Sequence, residues 1–88
     1  MNVYLDNAAT TPMLPEVVEA MLPYMRDHFG NPSSTHQFGR RTKTAIEQSR
    51  RQIAGQLGVE PRTVCFTSGG TESDNMALHA SVDQLGCK

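Results

Sequence analysis

Eighty-eight residues allow at most one small domain, burying roughly 60–65% of the surface its unfolded chain would expose. A formal net charge of −1, with 8 basic against 9 acidic residues, gives no general electrostatic case for nucleic acid or an anionic membrane surface. No apolar run approaches the roughly 18 residues of a membrane span, and the first residues lack the basic-then-apolar pattern of a secretion signal, so a cytoplasmic location is expected. The two cysteines, Cys65 and Cys87, are too few for a secreted disulfide scaffold.

Residues 1–13 hold a short strand candidate, Val3-Tyr4-Leu5, followed by Asp6-Asn7-Ala8-Ala9-Thr10-Thr11-Pro12. The latter stretch is small, polar and ends in proline, which predicts a turn or extended loop. It is either a plain connector or the wall of a site, where small side chains leave room for a ligand. From 14 to 29 the apolar residues Leu14, Val17, Val18, Met21, Leu22, Met25 and Phe29 recur at three- and four-residue steps, predicting an amphipathic helix. Pro15 and Glu16 suit its first turn, whereas Pro23 in the interior cannot donate to the carbonyl of Glu19 and predicts a kink near 19–22. Gly30 should end it, and Asn31-Pro32-Ser33-Ser34 reads as loop.

Ser33, Ser34 or Thr35 is expected to cap a longer helix running to about Leu57 and stopped by Gly58. Its predicted inner face is Phe38, Ala45, Ile46, Ser49, Ile53 and Leu57. Arg40, Arg41, Lys43, Arg50 and Arg51, five of the eight basic residues, fall mostly outside that face and read as a solvated surface, since no aromatic residues are interleaved among them. His28 and His36 have no cysteine or carboxylate partners at metal-ligand spacing, so no metal site is expected and both read as surface residues.

The densest chemical signal is Thr63-Val-Cys-Phe-Thr-Ser-Gly-Gly-Thr-Glu-Ser-Asp-Asn75. Residues Thr63–Thr67 are β-prone with little alternation, the mark of a strand covered on both faces of a sheet, with Cys65 a small core residue. Ser68-Gly69-Gly70 makes a tight corner. Thr71 is expected to cap a last helix, with Asp74 in the position of a capping box. Strand, glycine corner and helix start are the parts of an anion site: first-turn amides lack intrahelical acceptors, and glycine lets a phosphate approach the backbone. The spacing matches neither a P-loop nor a dinucleotide fingerprint, and a plain strand-to-helix turn capped by Thr71 is the alternative. The final helix carries Met76, Leu78, Ala80, Val82 and Leu85, and Gly86 can end it.

One buried strand implies neighbours that the sequence does not offer, Val3–Leu5 being the one other candidate. The expectation is the front piece of something larger.

Three stretches carry a family resemblance: Tyr4-Leu-Asp-Asn-Ala-Ala-Thr-Thr-Pro12, Phe29-Gly-Asn-Pro-Ser-Ser34 with His36 and Gly39, and Phe66-Thr-Ser-Gly-Gly-Thr-Glu-Ser-Asp-Asn75. Together, and in this order, they resemble the N-terminus of cysteine desulfurases, which belong to the class V aminotransferase-like group of pyridoxal-phosphate enzymes. The resemblance covers essentially the whole chain. It implies an α/β fold class: the N-terminal piece of the type I pyridoxal-phosphate-dependent transferase fold, helices plus one central-sheet strand and not a complete domain. Residues 1–88 would form a single incomplete segment, with 1–30 an N-terminal arm and helix and 31–88 the start of the large cofactor-binding domain.

The resemblance also implies that Gly70 and Thr71 bind the cofactor phosphate, through backbone N–H and the threonine hydroxyl. The family most often has alanine where Gly70 stands. Asn7, Ala8, Ala9 and Thr10 resemble a small-residue segment on the substrate side of the site. The family's Schiff-base lysine, its ring-stacking histidine, the aspartate on the pyridine nitrogen, the carboxylate-binding arginine and the mobile cysteine all fall beyond residue 88. Lys43, Lys88, Cys65 and Cys87 match none of them. The catalytic set is therefore expected to be empty and the 88-residue chain alone inactive.

The implied parent uses pyridoxal phosphate to convert L-cysteine to L-alanine, passing sulfur as a persulfide to sulfur-acceptor proteins of iron–sulfur cluster assembly. Homodimerisation or self-association is expected, and no nucleic-acid or membrane partner. A related pyridoxal-phosphate lyase or aminotransferase, or a non-catalytic module binding phosphate or a partner, stays open beside this reading.

Overall fold

The computed structural model describes residues 1–86; the expectations for Cys87 and Lys88 lie outside the described residues. Three α-helices follow one another, α1 (Pro15–Arg26), α2 (Gln37–Leu57) and α3 (Gly70–Leu85), with a 3₁₀ turn at Pro61–Thr63 between the last two. The chain divides into two compact units, Met1–Ser49 and Arg50–Lys88, with α2 contributing to both.

In the first unit, α1 starts as its sequence dictates. Leu14 is extended, Pro15 takes the first helical position where a missing N–H costs nothing, and Glu16 meets the positive end of the dipole. Pro23 lies inside the helix, and its own carbonyl accepts the amides of both Asp27 and His28 at 2.8 Å. That shared bond closes α1 at Arg26, three residues before the apolar stripe runs out, so Phe29 sits beyond the helix and is exposed.

The turn into α2 is held by contacts that glycine alone permits. A Cβ on Gly30 would stand 2.6 Å from the backbone carbonyl of Phe38, and one on Gly39 would stand 2.5 Å from the carbonyl oxygen of Asn31. Within the turn, the Ser33 amide donates to Asn31 Oδ1 at 2.9 Å and the Ser34 amide to the Asn31 carbonyl at 3.0 Å. The expected cap among Ser33, Ser34 and Thr35 is displaced: α2 begins at Gln37, and His36 Nδ1 accepts the amide of Gly39 at 3.3 Å. The serines are consumed by the asparagine turn, and the imidazole reaches the first-turn donor that a hydroxyl usually takes.

In the second unit, α2 ends where expected. Gly58 adopts φ +69°, the left-handed conformation glycine enters without a Cβ penalty, and the Val59 amide reaches back to the Ala54 carbonyl at 3.0 Å. Ala54 is the buried hydrophobic residue of this unit among the described residues.

The expected strand at Thr63–Thr67 is not formed among the described residues. Thr63 belongs to the 3₁₀ turn, the Val64 backbone (φ −90°, ψ 124°) is β-like, and residues 64–67 carry no regular structure and pair with no ladder. Side-chain preference makes a backbone extended; a strand also needs a neighbour for its N–H and C=O groups. Arg50 substitutes in part, its guanidinium donating to the Val64 carbonyl and lying 4.8 Å over the Phe66 ring. Arg50 is accordingly half-buried rather than solvated as expected. Cys65, expected in a core, is exposed for the same reason: no sheet covers its face. Val3–Leu5 likewise carries no regular structure.

Large apolar side chains stay open along all three helices, among them Met25 at 64%, Leu57 at 67% and Leu78 at 66%. Two separate well-packed bodies sharing this chain would expose roughly 6,000 Å² between them. The protein exposes 7841 Å². Its helices are therefore set by local signals more than by a core.

Gly39→Ala is expected to destabilise the α1–α2 turn by about 1–3 kcal/mol, because the methyl group meets fixed backbone. Gly55→Ala, with open space around the added carbon, should stabilise α2 by about 0.5–1 kcal/mol. Urea titration followed by circular dichroism checks both signs.

Candidate functional site: the corner before the last helix

The corner spans Thr67 to Ser73 in the second unit. Gly69 is fully extended (φ 170°, ψ −176°) and serves as the N-cap of α3, so the helix starts at Gly70 and the first helical amide to find its acceptor is Ser73, at 3.1 Å from the Gly69 carbonyl. Thr71, expected as the cap, is the second helical residue. No side chain caps this end. Among the described residues the amides of Gly70, Thr71 and Glu72 therefore meet no acceptor, and the helix dipole lies behind them. The Thr71 hydroxyl has no hydrogen-bond partner among the described residues.

Two clasps hold the corner. Thr67 Oγ1 donates to the Gly69 carbonyl at 3.1 Å and meets the Ser73 hydroxyl at 2.5 Å. On the other side Glu72, rather than Asp74, reaches back past the N-cap: its Oε2 accepts the Ser68 amide at 3.0 Å and the Ser68 hydroxyl at 2.5 Å. Because the glycine N-cap comes two residues earlier than the expected threonine, the carboxylate at the third helical position is Glu72. Hydrogen bonds first from the Ser68 hydroxyl and then from its amide hold the Glu72 carboxyl below the ordinary glutamate value, against a small opposing effect of desolvation.

A carboxylate engaged in this way is compatible with an anion at the neighbouring amides. The backbone is equally open to one: a Cβ at Gly69 or Gly70 would meet nothing within 4 Å. The donor set therefore fits a phosphate group, with the Gly70 and Thr71 amides and the Thr71 hydroxyl as the groups that would hold it. Alanine in place of Gly70 would leave the amide available.

Asn7 to Thr10 lie in the first unit, where they form an exposed turn closed on the Asp6 carbonyl. That oxygen accepts the amides of Ala9 at 3.0 Å and Thr10 at 3.3 Å. The Tyr4 hydroxyl donates to the same carbonyl at 2.9 Å and also contacts Thr10 Oγ1. The contribution of Tyr4 is not visible in composition or spacing; a tyrosine six residues before a threonine carries no signal until the turn brings them together. His28 and His36 sit at the surface with structural partners, Arg41 Nη1 at 3.3 Å from His28 Nδ1 and the α2 cap described above.

Comparison with known proteins follows the same residues. The family model described as "Aminotransferase class-V" matches residues 3–88. The chain belongs to the class-V aminotransferase family. Among similar proteins, the cysteine desulfurase IscS of Dictyoglomus turgidum is 55% identical over 86 residues, covering 98% of this chain and 22% of that protein. The cysteine desulfurase IscS of Methanosarcina thermophila is 58% identical over 76 residues, 86% of this chain and 19% of its own length. The mitochondrial cysteine desulfurase of Drosophila melanogaster is 47% identical over 87 residues, 98% and 19% respectively. This class-V segment thus spans about a fifth of the length of the curated relatives it matches. Membership carries the type I pyridoxal-phosphate fold at family level.

The Glu72 clasp has a definite pH dependence. A carboxyl whose folded value is depressed adds stability that is complete above its unfolded value of about 4.3 and is lost as pH falls through the lower folded value. Between pH 6 and pH 3 the Ser68 amide should lose protection relative to intrinsic exchange, and Glu72→Gln should flatten that change. NMR-detected hydrogen exchange on the 88-residue chain measures it.

Proposed function

We propose that this chain supplies the phosphate-binding end of a pyridoxal-phosphate-dependent cysteine desulfurase that converts L-cysteine to L-alanine and passes the sulfur on as a persulfide to acceptor proteins. The observation that carries the reading is the α3 corner: first-turn amides and a threonine hydroxyl with no partner among the described residues, and a glycine backbone open to close approach. High identity to several desulfurases over nearly the whole chain supports the activity class. Pyridoxal phosphate, when bound, supplies the electron sink for bond cleavage next to the amino acid's α-carbon.

The part played by this chain is binding and orientation. The Gly70 and Thr71 amides would hold the phosphate with the dipole of α3, and the Thr71 hydroxyl would donate a further bond. Thr67 and Glu72 would keep those donors converged by fixing Gly69, Ser68 and Ser73. Asn7, Ala8, Ala9 and Thr10 would form the substrate-side wall. In this reading residues 1–30 are an N-terminal arm and helix, and 31–88 open the cofactor-binding domain. Residues 64–67 would take their place as a strand once sheet neighbours are supplied, Val64 having a β-like backbone already. The open apolar faces of the helices are consistent with association into a homodimer. No helix of the described residues is long and apolar enough to cross a membrane. A cytoplasmic location is part of this reading, and the Drosophila relative is mitochondrial by name.

A graft tests the reading. Residues 3–88 are exchanged for the matching stretch of the Dictyoglomus turgidum enzyme, and alanine formation from L-cysteine and cofactor retention are measured. The grafted enzyme should keep both. Within it, Thr71→Val should weaken retention by about tenfold or more, the effect of removing one hydrogen bond to a charged group. Thr71→Ser should keep most of the affinity. Equal retention by all three would make Thr71 an ordinary helix residue and remove the site.

A further inference from the structure

Gln37, Arg40, Arg41, Thr44 and Gln48 form a single stripe of α2, because steps of three and four residues return to the same side of a helix. With Tyr24 of α1 they bound an open groove of about 390 Å³ within the first unit. Every polar side chain of that lining can donate a hydrogen bond, and none is acidic. Ala45, between them, adds only a methyl group to the floor.

Both guanidinium groups are held in place by neutral partners. Arg40 Nη1 donates to the Thr35 carbonyl, and Arg41 Nη1 donates to His28 Nδ1 at 3.3 Å. The His28 ring lies edge-on to the Tyr24 ring, with centroids 5.7 Å apart, so the wall and the floor of the groove are joined through it. Neither arginine is ion-paired with a carboxylate among the described residues. Adjacent positive charges, each with most of its N–H donors still to satisfy, therefore stand in a donor-lined groove. From Gln37 to Gln48 the stripe runs about 16 Å at the helical rise, the reach of about five residues of extended chain. That is longer than a single small anion requires. Glutamine amides and a threonine hydroxyl are also groups that pair with peptide N–H and C=O. Nucleic acid fits less well, since the chain carries a net charge of −1 and one tyrosine makes no row of stacking rings.

We propose that this groove docks an extended acidic segment of a partner protein. The Arg40 and Arg41 forks take its carboxylates, and Gln37, Thr44 and Gln48 take its backbone. The groove is separate from the corner before α3, so its failure as a dock would leave the desulfurase reading standing.

The probe is a fluorescein-labelled, end-blocked pentapeptide, Ala-Glu-Ala-Glu-Ala, titrated with the 88-residue chain and followed by anisotropy. Its glutamine counterpart and a labelled thymidine oligonucleotide of the same charge are titrated beside it. The acidic peptide should bind about tenfold or more tightly than either. Arg40→Gln with Arg41→Gln should weaken its binding about tenfold or more. Lys43→Gln with Arg51→Gln removes the same charge from α2 outside the groove and should change it less than about twofold. Amide shifts in NMR spectra of the unsubstituted chain should centre on Tyr24 and residues 37–48 when the peptide is added. That map decides the matter even where a variant fails to fold. Equal weakening by the two glutamine pairs, equal binding of the acidic and glutamine peptides, tighter binding of the oligonucleotide, or shifts centred outside the groove would each overturn the proposal.

Discussion

Arg50 carries the arrangement of the second unit. Residues 64–67 carry no regular structure, and such a stretch has no helix or ladder bonds of its own, so something must hold it. The Arg50 guanidinium does so from the far half of α2, bonding the Val64 carbonyl and covering the Phe66 ring at 4.8 Å. A cation over an aromatic face contributes about 0.5–1 kcal/mol at an exposed site, and the charge-assisted bond adds to it. The corner, its two clasps and the first turn of α3 all lie immediately after this anchored run. Lysine would not replace the arginine, since a planar fork that both stacks and donates is needed.

Local signals in the sequence were legible where the physics is local. Pro15, Gly58 and Gly86 mark helix ends because each acts through its own backbone, and the structure puts them at the first helical position, at φ +69° and at φ +67°. Competition among neighbours was harder to read. Ser33, Ser34 and Thr35 all look like caps, yet Asn31 claims the turn and His36 takes the capping role. The same holds one helix later, where Gly69 pre-empts Thr71 and so promotes Glu72 over Asp74. The expected strand at 63–67 does not form among the described residues, since pairing depends on residues elsewhere; Val64 alone shows a β-like backbone. The glycine corner before α3 was legible as a helix start, and the family resemblance is what implies a phosphate role for Gly70 and Thr71, both now seen in the first turn of α3. The Tyr4 contact was not legible, because it exists only once the Asp6 turn has formed.

At the corner a side chain with several bonding options is given a partner. Glu72 occupies the Ser68 amide and hydroxyl, leaving the outward amides of α3 as the available donors. At the N-terminal turn the Tyr4 hydroxyl and the Ala9 and Thr10 amides gather on the Asp6 carbonyl. Polar groups prepared in this way need little rearrangement to meet a ligand, which is the part of binding that costs least to supply in advance.

The open apolar faces have a meaning for biosynthesis. In a protein of the relatives' length, of which this segment is about a fifth, the remaining four-fifths would take roughly 15–60 s to emerge at about 5–20 residues per second. Through that interval Met25, Leu57 and Leu78 would face water, and the unpaired backbone of residues 64–67 would be open to any strand it met. In a protein of that length the segment would leave the ribosome ahead of whatever covers it, the situation in which a holdase chaperone has most to bind.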